Sequence, residues 1–600
     1  MRKPHLLKGN KDLEQPEDFI FFDTETLETK LSDEEVEHIF RLGVALYWRR
    51  RIDGSPDVLQ WLNFTDISQF WDFVESKSFS GRRLVLLAHN ISYDMRILKG
   101  FETMRERGYI LVKLISDSFV NIWKFRKQGK TLLFLDSMNF FNFSLKELGK
   151  DLGLAKMPMP EFKESHQLWF TYCKRDVEIL YKGIKTWLEF IKLNNLGSFA
   201  LTLAGQSFNS FRHRFNSFPI FIHSNQQAID LERESYHGGR TECFFVGTLP
   251  LENYHYLDVI SMYPSVMISN TYPTRLRSFT NSLSVSNLKR LLASNCLISK
   301  VFLETSEPAF PYKIFDKLCF PVGKFWTVLS TRELLYALSK DYIKEVRETA
   351  VYQAQPIFVD YVNFFHQCRQ TYRAQGNFSF SIISKLLLNS LYGKWGQRNE
   401  IFKVIAKDTD YPDGIYEVWN VEEQKKDIYR SMNGVLEKSV GKKEAFHSFP
   451  AIASHITADA RLVLWNYIKL AGQNNVFYCD TDSLFVNSVG AANLKAEFSA
   501  SVLGKLKLKG TAQNLEIRGL KDYTFGDSVR MKGIRPDAEK LADNKFRQWQ
   551  WEGMRGSLRN ARINRVILKK ITKILYRDYF KGLVEPSGKV VPYQVQQLCL

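Results

Sequence analysis

The chain has 600 residues, too many for one hydrophobic core, so roughly three to five domains of ~100–200 residues are expected. Hydrophobic residues at 44% and charged residues at 25% exclude a mainly disordered chain. No window approaches the ~18 uncharged apolar residues of a membrane helix, and the opening residues Met1-Arg2-Lys3-Pro4-His5 are too charged for a secretory signal. Lys and Arg number 83 against 65 Asp and Glu, a net charge of +18, and a large basic chain of this kind seeks a polyanion.

In chain order, the first expected element is an apolar strand, Phe19 to Phe22, running into Asp23-Thr24-Glu25. Asp-x-Glu alone is weak, because Asp33-Glu34-Glu35 also matches it and reads as a solvated helix start. A second apolar strand, Leu84 to Ala88, runs into His89-Asn90, with Asp94 four residues beyond Asn90. Helical spacing follows from Leu168 to Tyr181 and places Tyr172 and Asp176 four apart. Four carboxylates, each expected at an element end, suit two Mg²⁺ ions about 3.5–4 Å apart, the arrangement that hydrolyses phosphodiesters.

Tyr254 to Leu257 is a further strand, ending in Asp258; the bland alternative for Asp258 is a helix-initiating Asp before the Pro264 turn. In Lys385-Leu386-Leu387-Leu388-Asn389-Ser390-Leu391-Tyr392-Gly393, helical spacing brings a cation, an amide and a ring to one face, a set suited to a phosphate, a sugar and a base. Ile401 to Ile405 and Ile415 to Trp419 flank Tyr411-Pro412-Asp413-Gly414 and predict a β-hairpin. Residues 420–445 read as polar and exposed.

Tyr478-Cys479-Asp480-Thr481-Asp482-Ser483 lies between two short strands, so its carboxylates sit at a hairpin tip. Period-two geometry turns Asp480 and Asp482 to one side, where they repel unless a divalent cation lies between them. Asp408-Thr409-Asp410 shares the short pattern but reads as solvated loop. The chain end is basic, with 15 Lys and Arg against 6 Asp and Glu from Met531 to Leu600. Ile563, Ile567, Ile571, Ile574 and Leu575 predict an amphipathic helix over residues 561–580 with one cationic face. Seven cysteines, at 173, 243, 296, 319, 368, 479 and 599, form no Cys-x-x-Cys pair, which disfavours a zinc ribbon or disulfide framework and fits a reducing compartment.

Together these segments resemble the family B DNA polymerases: Asp23/Glu25, Asn90/Asp94, Tyr172/Asp176, Asp258, Lys385/Asn389 and Asp480/Asp482 stand in that family's order. Tyr236-His237-Gly238-Gly239 resembles the Tyr-x-Gly-Gly element of the protein-primed branch of bacteriophages and linear plasmids, and Lys521-Asp522-Tyr523 the family's late Lys-x-Tyr motif. The resemblance implies an α/β and α+β multidomain chain, in which an RNase H-like 3′→5′ exonuclease domain precedes a right-hand polymerase of palm, fingers and thumb with two insertions. The implied boundaries are 1–188 for the exonuclease, 189–267 and 449–530 for the palm, 268–362 for a first insertion facing a terminal protein, 363–397 for the fingers, 398–448 for a second insertion serving strand displacement and processivity, and 531–600 for the thumb.

Roles carry over residue by residue. Asp258 and Asp482, with Asp480 beside them and the Val259 carbonyl, resemble the polymerase metal seat. Tyr263 resembles the residue under the nucleotide sugar that excludes a 2′-hydroxyl, although Met262 before it departs from the family's usual Leu. Arg373, Lys385 and Asn389 resemble nucleotide ligands, and Tyr392 a contact to the nascent base pair. Lys521, Tyr523, Tyr236, Gly238 and Gly239 resemble DNA contacts. In the nuclease, Asp23, Glu25, Asp94 and Asp176 resemble metal ligands, and Tyr172 the group that orients the attacking water. Thr26, Asn90 and Tyr93 resemble ligands of a frayed 3′ end. Ser137-Met138 and Ser144-Leu145 both match the family's Ser/Thr-Leu element, Ser137 being preferred because Asp136 precedes it, and Lys156 matches the expected later lysine.

The resemblance further implies Mg²⁺ or Mn²⁺, two per active site, a DNA template-primer, dNTPs, a terminal protein primer, no membrane, a monomeric state and a place in the cytoplasm of a host cell. Two rival readings stay open: a polymerase started on nucleic-acid primers or without a primer, and a nucleic-acid-binding replication factor with an inert polymerase site.

Overall fold

The computed structural model describes residues 2–51, 53–117 and 120–596; Met1 and Cys599 lie outside them. The N-terminal domain is built on the run Phe19-Ile20-Phe21-Phe22, in which every side chain is buried because both faces of its sheet are covered. The strand Asp18–Lys30 pairs antiparallel with Glu35–Arg49 and parallel with Arg83–Ala88, which pairs parallel with Lys130–Asp136. Phe19 and Phe21 face the long helix His166–Leu193 through Val177, Leu180 and Ile184. Ile20 and Phe22 face Phe70, Trp71 and Met95 on the other side.

A five-stranded antiparallel sheet lies at the centre of the molecule, in the order Thr241–Cys243, Val476–Asp480, Ser483–Asn487, Tyr254–Val259, Leu506–Ala512. The helix Pro450–Ala471 is buried along nearly its whole length. The helices Val359–Ala374 and Phe378–Trp395 form an adjoining hairpin. A seven-stranded sheet gathers most of the strands between 272 and 355 and takes both chain ends as edges: His5–Leu6 by way of Phe221–Ile222, and Gln594–Gln596 against Val322–Ser330. Among the described residues no helix is long and apolar enough to cross a membrane.

Several expectations need correction. Residues 561–580 contain the strand Val566–Ile574, not an amphipathic helix. Its β-branched residues Val566, Ile567, Ile571, Thr572 and Ile574 pair with Lys545–Trp551 on one side and with Glu35–His38 on the other, and this pairing overrides the helical spacing. The C-terminal strands thereby extend the N-terminal domain's sheet to ten strands.

The strands Arg398–Ala406 and Gly414–Asn420 exist, but they do not pair with each other. Arg398–Ala406 pairs with Val435–Glu444 and Gly414–Asn420 with Lys425–Met432. The Pro412-Asp413-Gly414 turn is therefore a link across a four-stranded sheet, held by the Asn433 amide donating to Asp413 Oδ1 at 2.7 Å. Residues 420–445 are not simply exposed, since Asp427, Ser431 and Met432 are buried.

Asp33-Glu34-Glu35 is not a helix start. The Leu31 and Ser32 amides donate to the Glu35 carbonyl, closing a turn between strands. Asp23 and Glu25 are not at a strand end either: their strand runs on to Lys30 with a register shift after Glu25. Asp176 lies well inside its helix. The first of the two hairpin helices begins at Val359 rather than after 362.

Candidate functional site

The structure brings two carboxylate clusters together, one in each of the first two sheets. The first joins Asp23 and Glu25, both on one side of their strand by period two, with Asp94 from the helix Ile91–Ile97 and Asp176 from the helix His166–Leu193. Asp94 is fixed by Thr24, whose amide and hydroxyl donate to its Oδ1 at 3.1 and 2.7 Å. Lys156 ion-pairs with Asp176 Oδ2 and lies 4.7 Å from the centre of the Tyr172 ring. Tyr93 hydroxyl lies 2.7 Å from Thr26 Oγ1 and 3.0 Å from His38 Nδ1.

Asn90 takes a left-handed conformation with φ 69°, and its amide donates to Asp136 Oδ1 at 2.9 Å. Ser137 is fully buried, with His89 Nδ1 2.8 Å from its hydroxyl. Ser144 instead caps the helix Leu145–Asp151 through a reciprocal pair with Glu147, which accounts for it structurally.

Burial is the first cause that raises each of these carboxyls, and repulsion from the other carboxyls of the cluster adds to it at Asp23 and Glu25. Asp23 is pushed well above the carboxylate range by burial and then by Asp176, Asp94 and Glu25. Glu25 is pushed up to about 8 by burial and Asp176, with Lys156 opposing. Burial lifts Asp94 to about 7 against the bonds from Thr24. One lysine does not neutralise four carboxyls, and Asp176 Oδ1 is buried without a hydrogen-bond partner. Divalent cations fit such a site, and Asp23, Glu25, Asp94 and Asp176 are the residues that would hold them.

The sign of the resulting pH effect follows. A carboxyl whose folded pKa is raised supports folding only below its ordinary range, and that contribution is lost as pH rises through the folded value. In chelator, Glu25→Gln should therefore leave Tm unchanged at low pH and raise it relative to the parent chain as pH climbs through about 8. Calorimetry across pH checks this; a gain that shrinks with rising pH would show that Glu25 is not held in repulsion.

The second cluster sits on the central sheet. Asp258 is the last but one residue of Tyr254–Val259; in the neighbouring hairpin Asp480 ends the first strand and Asp482 lies in the turn, set there by the left-handed Thr481 and not by strand period two. The Val259 amide donates to the Asp482 carbonyl at 2.7 Å, which locks the two segments together. Burial and then Asp258 and Asp480 push the Asp482 carboxyl up to about 6, with Lys385 opposing. Lys509 pairs with Asp258 at 2.7 Å and Lys521 with Asp480 at 3.3 Å, while Thr241 donates to Asp480 at 3.2 Å. Three carboxylates against movable, half-exposed lysines again fit a divalent cation.

Lys385, whose charge acts on Asp482, shares the helix Phe378–Trp395 with Asn389 and Tyr392. The Tyr392 ring packs 4.4 Å from that of Tyr263. Arg373 is exposed near the end of the preceding helix. Tyr523 packs against Tyr478 and Phe485, and the Lys521 amide donates to the Tyr478 hydroxyl. Arg461, paired with Glu333 at 2.8 Å, donates to the carbonyls of His237 and Gly238 at 3.1 Å each. A Cβ on Gly239 would lie 2.8 Å from Thr481 in the turn between Asp480 and Asp482, whereas Gly238 faces open space. Tyr236 packs against Gly396, where a Cβ would come within 2.5 Å of its ring.

Sequence reasoning missed several residues. Cys173 donates to the Asp23 carbonyl and carboxylate; its place three residues before Asp176 on one helix face was a usable signal. Lys509 reaches Asp258 from the edge strand Leu506–Ala512. Arg369 donates to Ser261 at 2.9 Å. His38 and Trp551 join Tyr93, Trp551 lying edge-on to both rings. For these last residues only strand pairing supplies the proximity.

A family model described as DNA polymerase type B, organellar and viral, matches residues 157–488. A probable DNA polymerase of Neurospora intermedia is 24% identical over 370 residues, which cover 58% of this chain but only 37% of that protein. The DNA-directed DNA polymerase of Enterobacteria phage PRD1 is 26% identical over 423 residues, covering 66% of this chain and 69% of that one. The DNA polymerase of Streptococcus phage Cp-1 is 25% identical over 549 residues, covering 82% and 88%. Among solved structures, Phi29 DNA polymerase complexed with primer-template DNA and incoming nucleotide substrates superposes with a TM-score of 0.66 at 16% identity, over 94% of this chain and 100% of that chain. That likeness shows the fold.

Proposed function

The chain belongs to the type B DNA polymerases of organellar and viral type, and on that premise we propose that it is a DNA-directed DNA polymerase with a 3′→5′ proofreading exonuclease, started from a terminal protein and able to displace a strand ahead of it. The observation that carries the polymerase reading is the joining of Asp258, on the strand Tyr254–Val259, to Asp482, in the turn that leads into the paired strand Ser483–Asn487, tied by the Val259–Asp482 bond and within reach of the Lys385 charge. Two divalent cations held by Asp258, Asp482 and the Val259 carbonyl would activate a 3′-hydroxyl and stabilise the leaving pyrophosphate.

The chain's own residues do the positioning. Lys385 and Arg373 neutralise the triphosphate, and Asn389 offers its amide beside them. Lys509 and Lys521 now occupy the carboxylates and would swing to phosphate once cations take their place. Gly238, with open space around it, lets DNA backbone approach, and Gly239 lets the catalytic turn lie close. In the first cluster, Asp23, Glu25, Asp94 and Asp176 would hold the cations, Tyr172 and Lys156 would orient the attacking water, and Thr26, Asn90, Tyr93 and Ser137 would hold the frayed strand.

The domain boundaries given above are part of this proposal, with the fingers now starting at Val359. Dependence on a terminal protein rests on the resemblance of Tyr236–Gly239 and on the 272–355 sheet. The test is primer extension on a primed template with Mg²⁺ and dNTPs, followed by unprimed reactions with and without a candidate terminal protein. Failure to extend any primer overturns the polymerase reading; starts that ignore the protein overturn only the priming mode.

Tyr263 also makes a prediction. Packed at a tilt against Tyr392, its ring would fill the space a ribose 2′-hydroxyl needs, so Tyr263→Val should raise ribonucleotide relative to deoxyribonucleotide incorporation at least about tenfold, the scale of roughly 1.4 kcal/mol of lost discrimination. Single-nucleotide kinetics with both sugars measures it, and unchanged discrimination would assign the gate to another side chain.

A further inference from the structure

Beside the edge strand Thr241–Cys243 of the central sheet lies a cleft of about 560 Å³, a volume in the range of small-molecule sites. Phe244, Phe245, Phe320 and Phe477 wall it, and the chain end from Tyr579 to Pro592 closes one side. That closing segment is held by backbone bonds. The Val246 amide donates to the Gly588 carbonyl at 2.7 Å and the Val590 amide to the Phe244 carbonyl at 2.9 Å, while the Cys243 amide donates to the Tyr579 hydroxyl at 2.9 Å. No residue of either carboxylate cluster lines this cleft.

Its charged lining is cationic, and one cation is short of partners. Arg240 is 1% exposed and lines the cleft, its guanidinium carbon 4.1 Å from the centre of the Phe320 ring and 4.9 Å from that of Trp465. Arg240 Nε donates to Glu242 Oε2, but Nη1 and Nη2 have no hydrogen-bond partner among the described residues. Buried donors are ordinarily paired; the equally buried Arg461 gives its Nη1 and Nη2 to the carbonyls of His237 and Gly238 and to Glu333. The Nη1–Nη2 edge is the end of the guanidinium fork, whose parallel N–H bonds match two oxygens of a carboxylate or phosphate. Lys581 and Lys589 line the same cleft, and Lys581 donates to the Thr241 carbonyl at 2.8 Å. The one carboxylate in the lining, Glu242, is already paired with Arg240.

We propose that this cleft binds an aromatic phosphate of the size and chemistry of a nucleoside monophosphate. The phosphate takes the Nη1–Nη2 edge of Arg240, with Lys581 and Lys589 beside it. Three cations against one paired carboxylate favour a dianion, and so a phosphate over a carboxylate. The ring lies among Phe244, Phe245 and Phe477, where any base offers a π-face. The exposed amides of Gln473 and Asn474, which also line the cleft, offer a donor and an acceptor to the ring's polar edge. The groups that hold the phosphate are themselves cations, so binding needs no metal ion, and this separates the cleft from both carboxylate clusters. The proposal does not rest on the polymerase reading.

The experiment titrates dAMP into the full chain in EDTA, so that no divalent cation loads the carboxylate clusters. Calorimetry should show a single site, and a chain carrying Asp23→Ala, Glu25→Ala and Lys385→Ala together should keep it. Lys589→Glu, at an exposed position, should weaken binding at least about tenfold with Tm unchanged, and Arg240→Lys should do the same by keeping the charge and losing the paired edge. Irradiated 8-azido-dAMP should label residues 243–249 or 587–592. Naphthalene-2-carboxylate should bind at least about tenfold more weakly than dAMP; equal or tighter binding overturns the assignment to a phosphate. Absence of dAMP binding, its loss in the triple variant, its survival unweakened in Lys589→Glu, or a label confined to other segments overturns the site. If Arg240→Lys does not fold, Lys589→Glu and the label decide.

Discussion

Asp258→Ala and Asp482→Asn should each lower primer extension by at least about a thousandfold, since on the proposed reading each removes a carboxylate that would seat the cations on which nucleotidyl transfer depends. The same two chains should degrade single strands from the 3′ end at the parent rate. Asp23→Ala combined with Glu25→Ala should do the reverse. The clusters stand on different sheets and share no residue, so there is no covalent route by which one substitution empties both. Paired extension and degradation assays, with circular dichroism to confirm folding, decide the matter; loss of both activities in every variant would sink the two-site reading.

Deleting residues 407–434 and joining the ends by a short Gly-rich turn should stop synthesis through duplex and shorten the product of one binding event at least about tenfold, while short single-stranded templates are still copied. The excision is feasible because Arg398–Ala406 and Val435–Glu444 pair directly, down to Ala406 beside Leu436. What it removes is the outer half of the sheet, which joins two other parts of the molecule. Asn433 donates to the Tyr109 carbonyl at 2.8 Å, and Met432 packs into the N-terminal domain's core. Gly414 lies against the Leu558 carbonyl, and Glu417 pairs with Arg559 at 3.2 Å in the C-terminal region.

An insertion tied at both ends can enclose a strand. Binding through Lys and Arg alone weakens steeply with salt as counterions are released, whereas an enclosed strand leaves slowly at any ionic strength. Product lengths measured with a trap for released enzyme, at two salt concentrations, test this. If the deletion changes neither length nor displacement, the grip belongs to the basic C-terminal region alone.

Much of both clusters was legible before any coordinates, because the chemistry demands rare residue types at short spacings. Asp480 closes its strand and Asp482 lies in the two-residue turn that follows, so a hairpin tip rather than strand period two brings them together; Asp23 and Glu25 obey period two, and Lys385, Asn389 and Tyr392 obey the helical repeat, each a local rule that a turn, a strand or a helix enforces by itself. The preference for Ser137 over Ser144 likewise rested on the neighbouring Asp136, and a capping box now occupies Ser144. The strands Arg398–Ala406 and Gly414–Asn420 were also local facts.

Which strands pair was not local. A turn sequence between 411 and 414 favours a hairpin, but four strands bury more of their surface by interleaving, so each of these two found its partner further along the chain. Val566–Ile574 has helical spacing in isolation and becomes a strand because Glu35–His38 offers an unpaired edge more than 500 residues earlier. Lys509 at Asp258 and Trp551 beside His38 and Tyr93 follow from such long-range pairings, and Arg369 at Ser261 from the packing of the helix Val359–Ala374 on the helix Met262–Ser269. The sequence by itself determined the composition of each carboxylate cluster, because chemistry selects residue types and secondary structure spaces them. Only the tertiary structure decided what surrounds each set, from the cysteine against Asp23 to the lysines on Asp258 and Asp480. Those contacts depend on burial and backbone pairing between segments that carry no record of one another.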